Sequence, residues 1–244
     1  MTSPERTARS MGLTDQTRAE MREIIARYPK PRSALLPMLH LAQSEEGFVS
    51  PEGIAMCAEE LGLTKAEVGA VATFYTMYRR RPAGEYHVGI CTNTLCAVLG
   101  GDELMARAKE QLGIGNNETT ADGRVSLEHV ECNAACDYAP VVMVNWEFFD
   151  DQTPESLREL LDGCLTGTPP APTRGPSTLC TFKQASRVLA GFPDGRACEG
   201  VQAGPATLAG LELAKQRGDR APALPGSDAP PMSSTTSSTA SKDA

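Results

Sequence analysis

Four of the eight cysteines in this 244-residue chain fall into two close pairs, Cys91-x4-Cys96 and Cys132-x3-Cys136. Thiolates are soft donors, and soft donors select zinc, copper(I) or iron–sulfur clusters. A four-residue gap opens the plant-type ferredoxin motif, while close cysteine pairs also build structural zinc sites. Spacing alone therefore leaves an iron–sulfur cluster and zinc both open. A dithiol enzyme would need C-x-x-C, and the chain has none. The residues inside the pairs are small or polar: Thr92, Asn93 and Thr94 in one loop, Asn133, Ala134 and Ala135 in the other. Such loops let backbone N–H groups approach sulfur. A cluster held by four thiolates has no open coordination position, so the chemistry left to it is electron exchange. Glu131 and Asp137 flank the second pair. Their charge disfavours an added electron and points to a low potential, unless water screens it.

Each pair follows a run that reads as a β-strand, Tyr86–Ile90 before the first and Val125–Glu131 before the second. A helix is expected from Asp102 to about Leu112, and another from Pro154 to about Leu165. Between them, Val141–Asn145 is apolar without alternation, the pattern of a strand buried on both faces. This order of elements indicates a small α/β domain. Trp146, Phe148 and Phe149 come next and suit either a core or an interface.

The stretch ahead of the first pair reads as four short helices, hence a helical bundle. The first spans about Thr14–Tyr28, with Met21, Ile24, Ile25 and Tyr28 on one face, and ends at Pro29 and Pro31. The second takes Ser33 as its N-cap, carries Leu35, Leu36, Leu39 and Ala42, and stops at Gly47. The third opens with Ser50-Pro51 and closes near Gly62. The fourth starts with the capping box Thr64…Glu67 and is expected to run through Phe74 and Tyr75 to Tyr78. Arg79, Arg80 and Arg81 then read as a solvated basic patch at a helix end, with a docking contact as the alternative.

Cys57 and Cys164 lie within helical patterns and read as buried small hydrophobes. Cys180 and Cys198 show no ligand spacing. Beyond residue 166 Gly, Pro, Ser and Thr dominate, and Phe182–Leu189 is a short amphipathic stretch able to dock as a helix. From about Ala221 the composition argues against ordered structure. The expected organisation is a disordered segment 1–12, a helical bundle 13–83, the cysteine-bearing domain 84–166, and an extended, largely irregular tail 167–244.

The net charge of −8 argues against nucleic acid and against an anionic membrane surface. No apolar run approaches the roughly 18–20 residues that span a bilayer, and Met1–Ser10 lacks the apolar stretch of a secretory signal. A reducing compartment is expected, where paired cysteines serve as metal ligands rather than disulfides. There is no G-x-G-x-x-G dinucleotide fingerprint.

The two cysteine pairs, the leading Val71-Ala72-Thr73-Phe74-Tyr75 and the following Ala139-Pro140-Val141 together resemble the NuoE family. This is the [2Fe–2S] peripheral subunit of NADH:quinone oxidoreductase, respiratory complex I. The resemblance covers about Glu20 to Leu165. It implies a mixed fold (α+β or α/β), an N-terminal helical bundle followed by a thioredoxin-like [2Fe–2S] ferredoxin domain. It implies that Cys91, Cys96, Cys132 and Cys136 are the cluster ligands, and that Ala139–Pro140 is a candidate cis bond. It also implies a flavoprotein partner carrying FMN and the NADH site, so hydride chemistry belongs to that partner and this chain holds no complete active site. The implied location is cytoplasmic, in a peripheral arm at the inner face of the cell membrane. Three rivals stand beside this reading. One is the equivalent subunit of an NAD-dependent formate dehydrogenase or NAD-reducing hydrogenase, another a zinc-stabilised interaction module, and the third a stand-alone thioredoxin-like ferredoxin, against which the N-terminal bundle argues. The long tail departs from the compact family pattern.

Overall fold

The computed structural model describes residues 13–200 and 203–220. The disorder expected for 1–12 and for the tail from Ala221 lies outside the described residues.

The chain starts with four helices, α1 (Asp15–Ala26), α2 (Leu35–Glu46), α3 (Pro51–Leu61) and α4 (Lys65–Phe74). Local signals set most of their ends. Thr14, Ser50 and Thr64 cap the N-termini of α1, α3 and α4, and Gly47 and Gly62 close α2 and α3 in the left-handed conformation. Two expectations need correction. Ser33 does not cap α2, because a 3-10 turn over Pro31–Ala34 leads into it without a side-chain cap. Helix α4 ends at Phe74, with Tyr75 already extended. Met21 and Ile24 enter the bundle core, whereas Tyr28 is exposed.

The second core belongs to a five-stranded sheet in the order β2-β3-β1-β4-β5. The strands are β1 (Tyr86–Cys91), β2 (Glu118–Thr119), β3 (Val125–Val130), β4 (Val142–Val144) and β5 (Glu147–Phe149). β1 pairs with β3 in parallel, and the other neighbours are antiparallel. Every residue of the central β1 is buried. Helices α6 (Gly101–Leu112) and α7 (Pro154–Thr166) pack on this core, and a short α5 (Thr94–Val98) lies in the first cysteine loop. β4 and β5 form a hairpin whose two-residue turn, Asn145-Trp146, has positive φ at both positions, the geometry that matches strand twist. The short strands β2 and β5 escape a pattern search because two or three residues show no period.

Chain 167–200 returns to both cores. Helix α8 (Phe182–Leu189) forms over the expected residues and is capped by Thr181. It packs on α2 of the same chain. Ser186 Oγ meets Gln43 Nε2 at 3.2 Å, Lys183 Nζ donates to Glu45 O at 2.6 Å, and Arg187 grips Glu20 through two bonds of 3.0 and 2.9 Å. Phe182, 1% exposed, lies beside the rings of His87 and Trp146. Residues 203–220 belong to a separate unit containing α9 (Pro205–Arg217), which buries no residue. That helix was not expected. Pro205 and Gly218 are helix-boundary signals, but Leu208, Leu211 and Leu213 stay exposed and mark no core-facing stripe. Among the described residues no helix is long and apolar enough to cross a membrane.

The Arg79–Arg81 run is not uniformly solvated. Arg80 and Arg81 are exposed, but Arg79 pairs with Glu128 of β3 at 2.8 Å. Its backbone N–H donates to the buried Gln43 Oε1 at 2.7 Å. A largely buried ion pair thus joins the end of the bundle to the sheet.

This packing makes Phe182 a main support of the α8 contact. Phe182→Ala is expected to cost about 3–5 kcal/mol, read as a lower denaturation midpoint, while truncation of the partly exposed Val188 to Ala leaves stability nearly unchanged. A pH dependence is expected from His40, buried against Tyr78 and held by desolvation at a pKa of about 4, below its ordinary 6.5. The unfolded chain binds a proton at this site that the folded chain refuses, so stability falls as pH drops below 6.5. From pH 7 to 5 the loss is about 2 kcal/mol. His40→Phe flattens that slope in denaturation measured at both pH values, leaving the contribution of His87, also depressed by burial.

Candidate metal centre

Parallel pairing of β1 and β3 sets Cys91 opposite Val130 in register. Parallel neighbours finish at the same end of the sheet, so both cysteine loops emerge together. Cys91 is the last residue of β1, and its N–H donates to Val141 O at 3.2 Å. Cys96 sits on α5, which a break at Leu99-Gly100 separates from α6. Cys132 and Cys136 border a loop that ends in a 3-10 turn, Cys136–Tyr138. The peptide Ala139–Pro140 is cis, as the resemblance suggested, and it leads into Val141 beside the first cysteine.

The four thiols are near neighbours: Cys91 and Cys136 both add to the raised pKa of Cys96, and Cys132 adds to that of Cys136. Cys91 and Cys136 also lie close enough to interact electrostatically. Among the described residues no three His, Cys, Asp or Glu side chains converge on one point as a single ion would require. Four thiols on two neighbouring loops are the donor set of a [2Fe–2S] cluster and equally of a structural zinc ion. The surroundings fit sulfur ligands carrying negative charge. Ala134 N–H donates to Cys132 Sγ at 3.2 Å, and the backbone at Val141 works against the desolvation of the Cys96 thiol. Ala134 adopts φ +52° to aim its N–H, a conformation that costs a non-glycine residue about 1–2 kcal/mol. A strained residue among candidate ligands is an observation that points to function.

Burial divides the site. Cys91 and Cys96 are 3% and 2% exposed and pack with Ala135, Val141 and Phe148, whereas Cys132 and Cys136 are exposed. Desolvation pushes the Cys96 thiol up to about 11; the backbone at Val141 opposes this and the neighbouring Cys91 adds to it. The Cys136 thiol is raised too, by desolvation and by Cys132. At neutral pH both therefore hold their protons in the metal-free chain, and binding must release them.

Gly101 shapes the first loop. A Cβ there would stand 2.5 Å from Cys91 O and 2.8 Å from Cys96 O. The start of α6 thus rests on the backbone of two ligand candidates at a distance only glycine permits. The Gly100-Gly101 pair reads in the sequence as a break, with no hint of this contact. His87 and Glu128, joined at 2.7 Å near the second loop, are likewise silent in the sequence, because nothing local couples residues on different strands. Cys57 and Cys164 are buried in α3 and α7, with thiols pushed up to about 12 by desolvation. Cys180 is half-buried and Cys198 exposed. Glu131 and Asp137 are both exposed, the situation in which screening weakens their influence.

Comparison with known proteins agrees with this geometry. Residues 21–165 match the model of the thioredoxin-like [2Fe–2S] ferredoxin family. The chain is 64% identical over 211 residues to the E subunit of the NADH-quinone oxidoreductase of Mycobacterium tuberculosis, covering 86% of this chain and 83% of that one. It is 39% identical over 160 residues to NADH-quinone oxidoreductase subunit 2 of Thermus thermophilus, covering 64% of this chain and 88% of that one. Among solved structures, an NAD+-reducing [NiFe]-hydrogenase superposes with a TM-score of 0.50 at 21% identity. That match covers 55% of this chain but spans only 23% of the hydrogenase chain, and it speaks to the fold alone. With its two cysteine pairs at one end of the sheet and a family match running from the bundle through α7, the chain belongs to the thioredoxin-like [2Fe–2S] ferredoxin family, in the branch of the NADH-quinone oxidoreductase E subunits.

Proposed function

We propose that this chain is the electron-transfer subunit of an NADH:quinone oxidoreductase and that Cys91, Cys96, Cys132 and Cys136 hold its [2Fe–2S] cluster. The observation that carries the reading is the placement of four cysteines on two loops that follow neighbouring parallel strands at the same end of the sheet. When bound, such a cluster supplies a one-electron store. The chain's own residues supply position and environment. Cys91 and Cys96 lie behind Val141 and Phe148, shielded from water. Ala134 aims its N–H at Cys132 Sγ, which favours negative charge there, and the backbone at Val141 opposes the desolvation of Cys96. Cys132 and Cys136 face outward and present the side through which electrons pass to and from a partner.

That partner is a flavoprotein carrying FMN and the NADH site, and the complex holds this chain in a cytoplasmic peripheral arm at the inner membrane face. Residues 13–83 serve as the bundle, 84–166 as the cluster domain and 167–244 as the C-terminal extension. The 64% identity to an NADH-quinone oxidoreductase component over most of both chains favours this assignment over a formate dehydrogenase or hydrogenase. The match to a [2Fe–2S] family over residues 21–165 favours an iron–sulfur cluster over one zinc.

The test is visible absorption and low-temperature EPR on anaerobically purified full-length chain, before and after dithionite. A red-brown protein gaining about one spin per chain on reduction is expected; a colourless chain with stoichiometric zinc would overturn the reading. Serine in place of any of the four cysteines should shift or abolish the spectrum, while Cys57→Ser and Cys198→Ser leave it unchanged. Gly101→Ala is expected to lower iron content severalfold, because its Cβ must push the Cys91 and Cys96 backbones aside. Gly69→Ala, also in a helix but with open space at its Cβ, serves as the control and keeps its iron.

A further inference from the structure

A second polar site lies beside the cluster loop. His87 on β1, Glu128 on β3 and Arg79 after the bundle form a chain of contacts. His87 Nε2 meets Glu128 Oε2 at 2.7 Å, and Arg79 Nη1 meets Glu128 Oε1 at 2.8 Å. The three side chains are 8, 19 and 15% exposed. They border a cavity of about 140 Å³, also lined by Asn133, Val130 and Met143. Two buried nitrogens of its lining residues, His87 Nδ1 and Asn133 Nδ2, have no hydrogen-bond partner within the chain. Asn133 is the residue directly after Cys132.

An unpaired buried polar group costs about 1–3 kcal/mol, and here two such groups line one cavity. Their chemistry is complementary. Glu128 is held ionised by His87 and Arg79 against the opposing effect of its own burial. It therefore accepts a hydrogen bond from His87 Nε2, and burial keeps the ring neutral. Nδ1 is then a bare acceptor, and Asn133 Nδ2 is a donor. A water molecule satisfies both, accepting from one and donating to the other. The cavity has room for about four waters at roughly 30 Å³ each.

We propose that ordered water in this cavity bridges Asn133 Nδ2 to His87 Nδ1, making His87 a positioning residue for the Cys132–Cys136 loop and, through it, for the potential of the cluster. This rests on the four-cysteine assignment above. Anchored by Glu128 and Arg79, His87 offers a fixed point on the sheet. The water extends that point to the loop and keeps Ala134 in the conformation that directs its N–H to Cys132 Sγ. Hydrogen bonds to cluster sulfurs are among the features that set the potential. Donors to the sulfur favour the more negative, reduced form, so losing the bridge lowers the midpoint.

The test compares His87→Gln and His87→Leu in the full-length chain loaded with its cluster. Glutamine can donate to Glu128 through Nε2 and accept from water through Oε1, preserving both roles at the same charge. Leucine preserves neither. Anaerobic redox titration followed by EPR should show a lowered midpoint and altered g-values in His87→Leu, and wild-type behaviour in His87→Gln. A wild-type midpoint in His87→Leu, or an equal fall in both variants, would overturn the proposal. A merely packing role predicts neither the shift nor the rescue. If His87→Leu does not fold, a high-resolution crystal structure of the loaded wild-type chain decides. Water within hydrogen-bond distance of both nitrogens supports the bridge, and a dry cavity removes it. Failure of the four-cysteine assignment shows separately, as a wild-type chain without the visible bands, and overturns both readings.

Discussion

The parallel pairing of β1 with β3 is the constraint on which the rest depends. Six residue pairs, from Tyr86↔Val125 to Cys91↔Val130, run in register. Slipping that register by one residue would turn each side chain to the opposite face and displace the second loop from the first. The pairing is secured by burial and by a further strand. Val88, Ile90, Val125 and Leu127 are fully buried, and β4 pairs with the other edge of β1. The cysteines inherit their proximity from this packing.

Two links join the helical bundle to this sheet. One is the Arg79–Glu128–His87 series, which places ionised groups where few waters reach. Buried ion pairs are weak evidence for stability because desolvation offsets their attraction. Their geometry, however, is specific, and here it sets the end of the bundle beside the second cysteine loop. The other link is α8 with its flanking turns. Phe182 contributes apolar burial against the sheet side, while Ser186, Lys183 and Arg187 bond to α1 and α2. Asn145 completes the link, accepting from His87 N–H and donating to Glu85 O and Cys180 O. Chain that composition alone would class as irregular is therefore part of the folded body.

The contrast between the two cysteine pairs gives the site a direction. Cys91 and Cys96 lie at the end of a buried strand and on the short helix after it, and burial raises the cost of charge on Cys96. Cys132 and Cys136 sit on an exposed loop where a strained alanine supplies a compensating N–H. One side of the site is thus insulated and the other accessible, which suits the proposed exchange of electrons with a partner.

Much of this was determined by the sequence itself, because the deciding interactions are local. Thr14, Ser50 and Thr64 cap helices through bonds to residues three positions away, and Gly47 and Gly62 end them through backbone freedom. The amphipathic period of Phe182–Leu189 marked α8 to the residue, and the two cysteine spacings named the candidate ligands. Other features were decided only by tertiary structure. Arg79 read as solvated because its partner Glu128 lies 49 positions away on a strand that must first form. The close approach of Gly101 to Cys91 and Cys96, the cavity between His87 and Asn133, and the docking of α8 on α2 all depend on how the chain packs in three dimensions. Their energies come from burial and from the removal of water, and neither exists until the chain has folded.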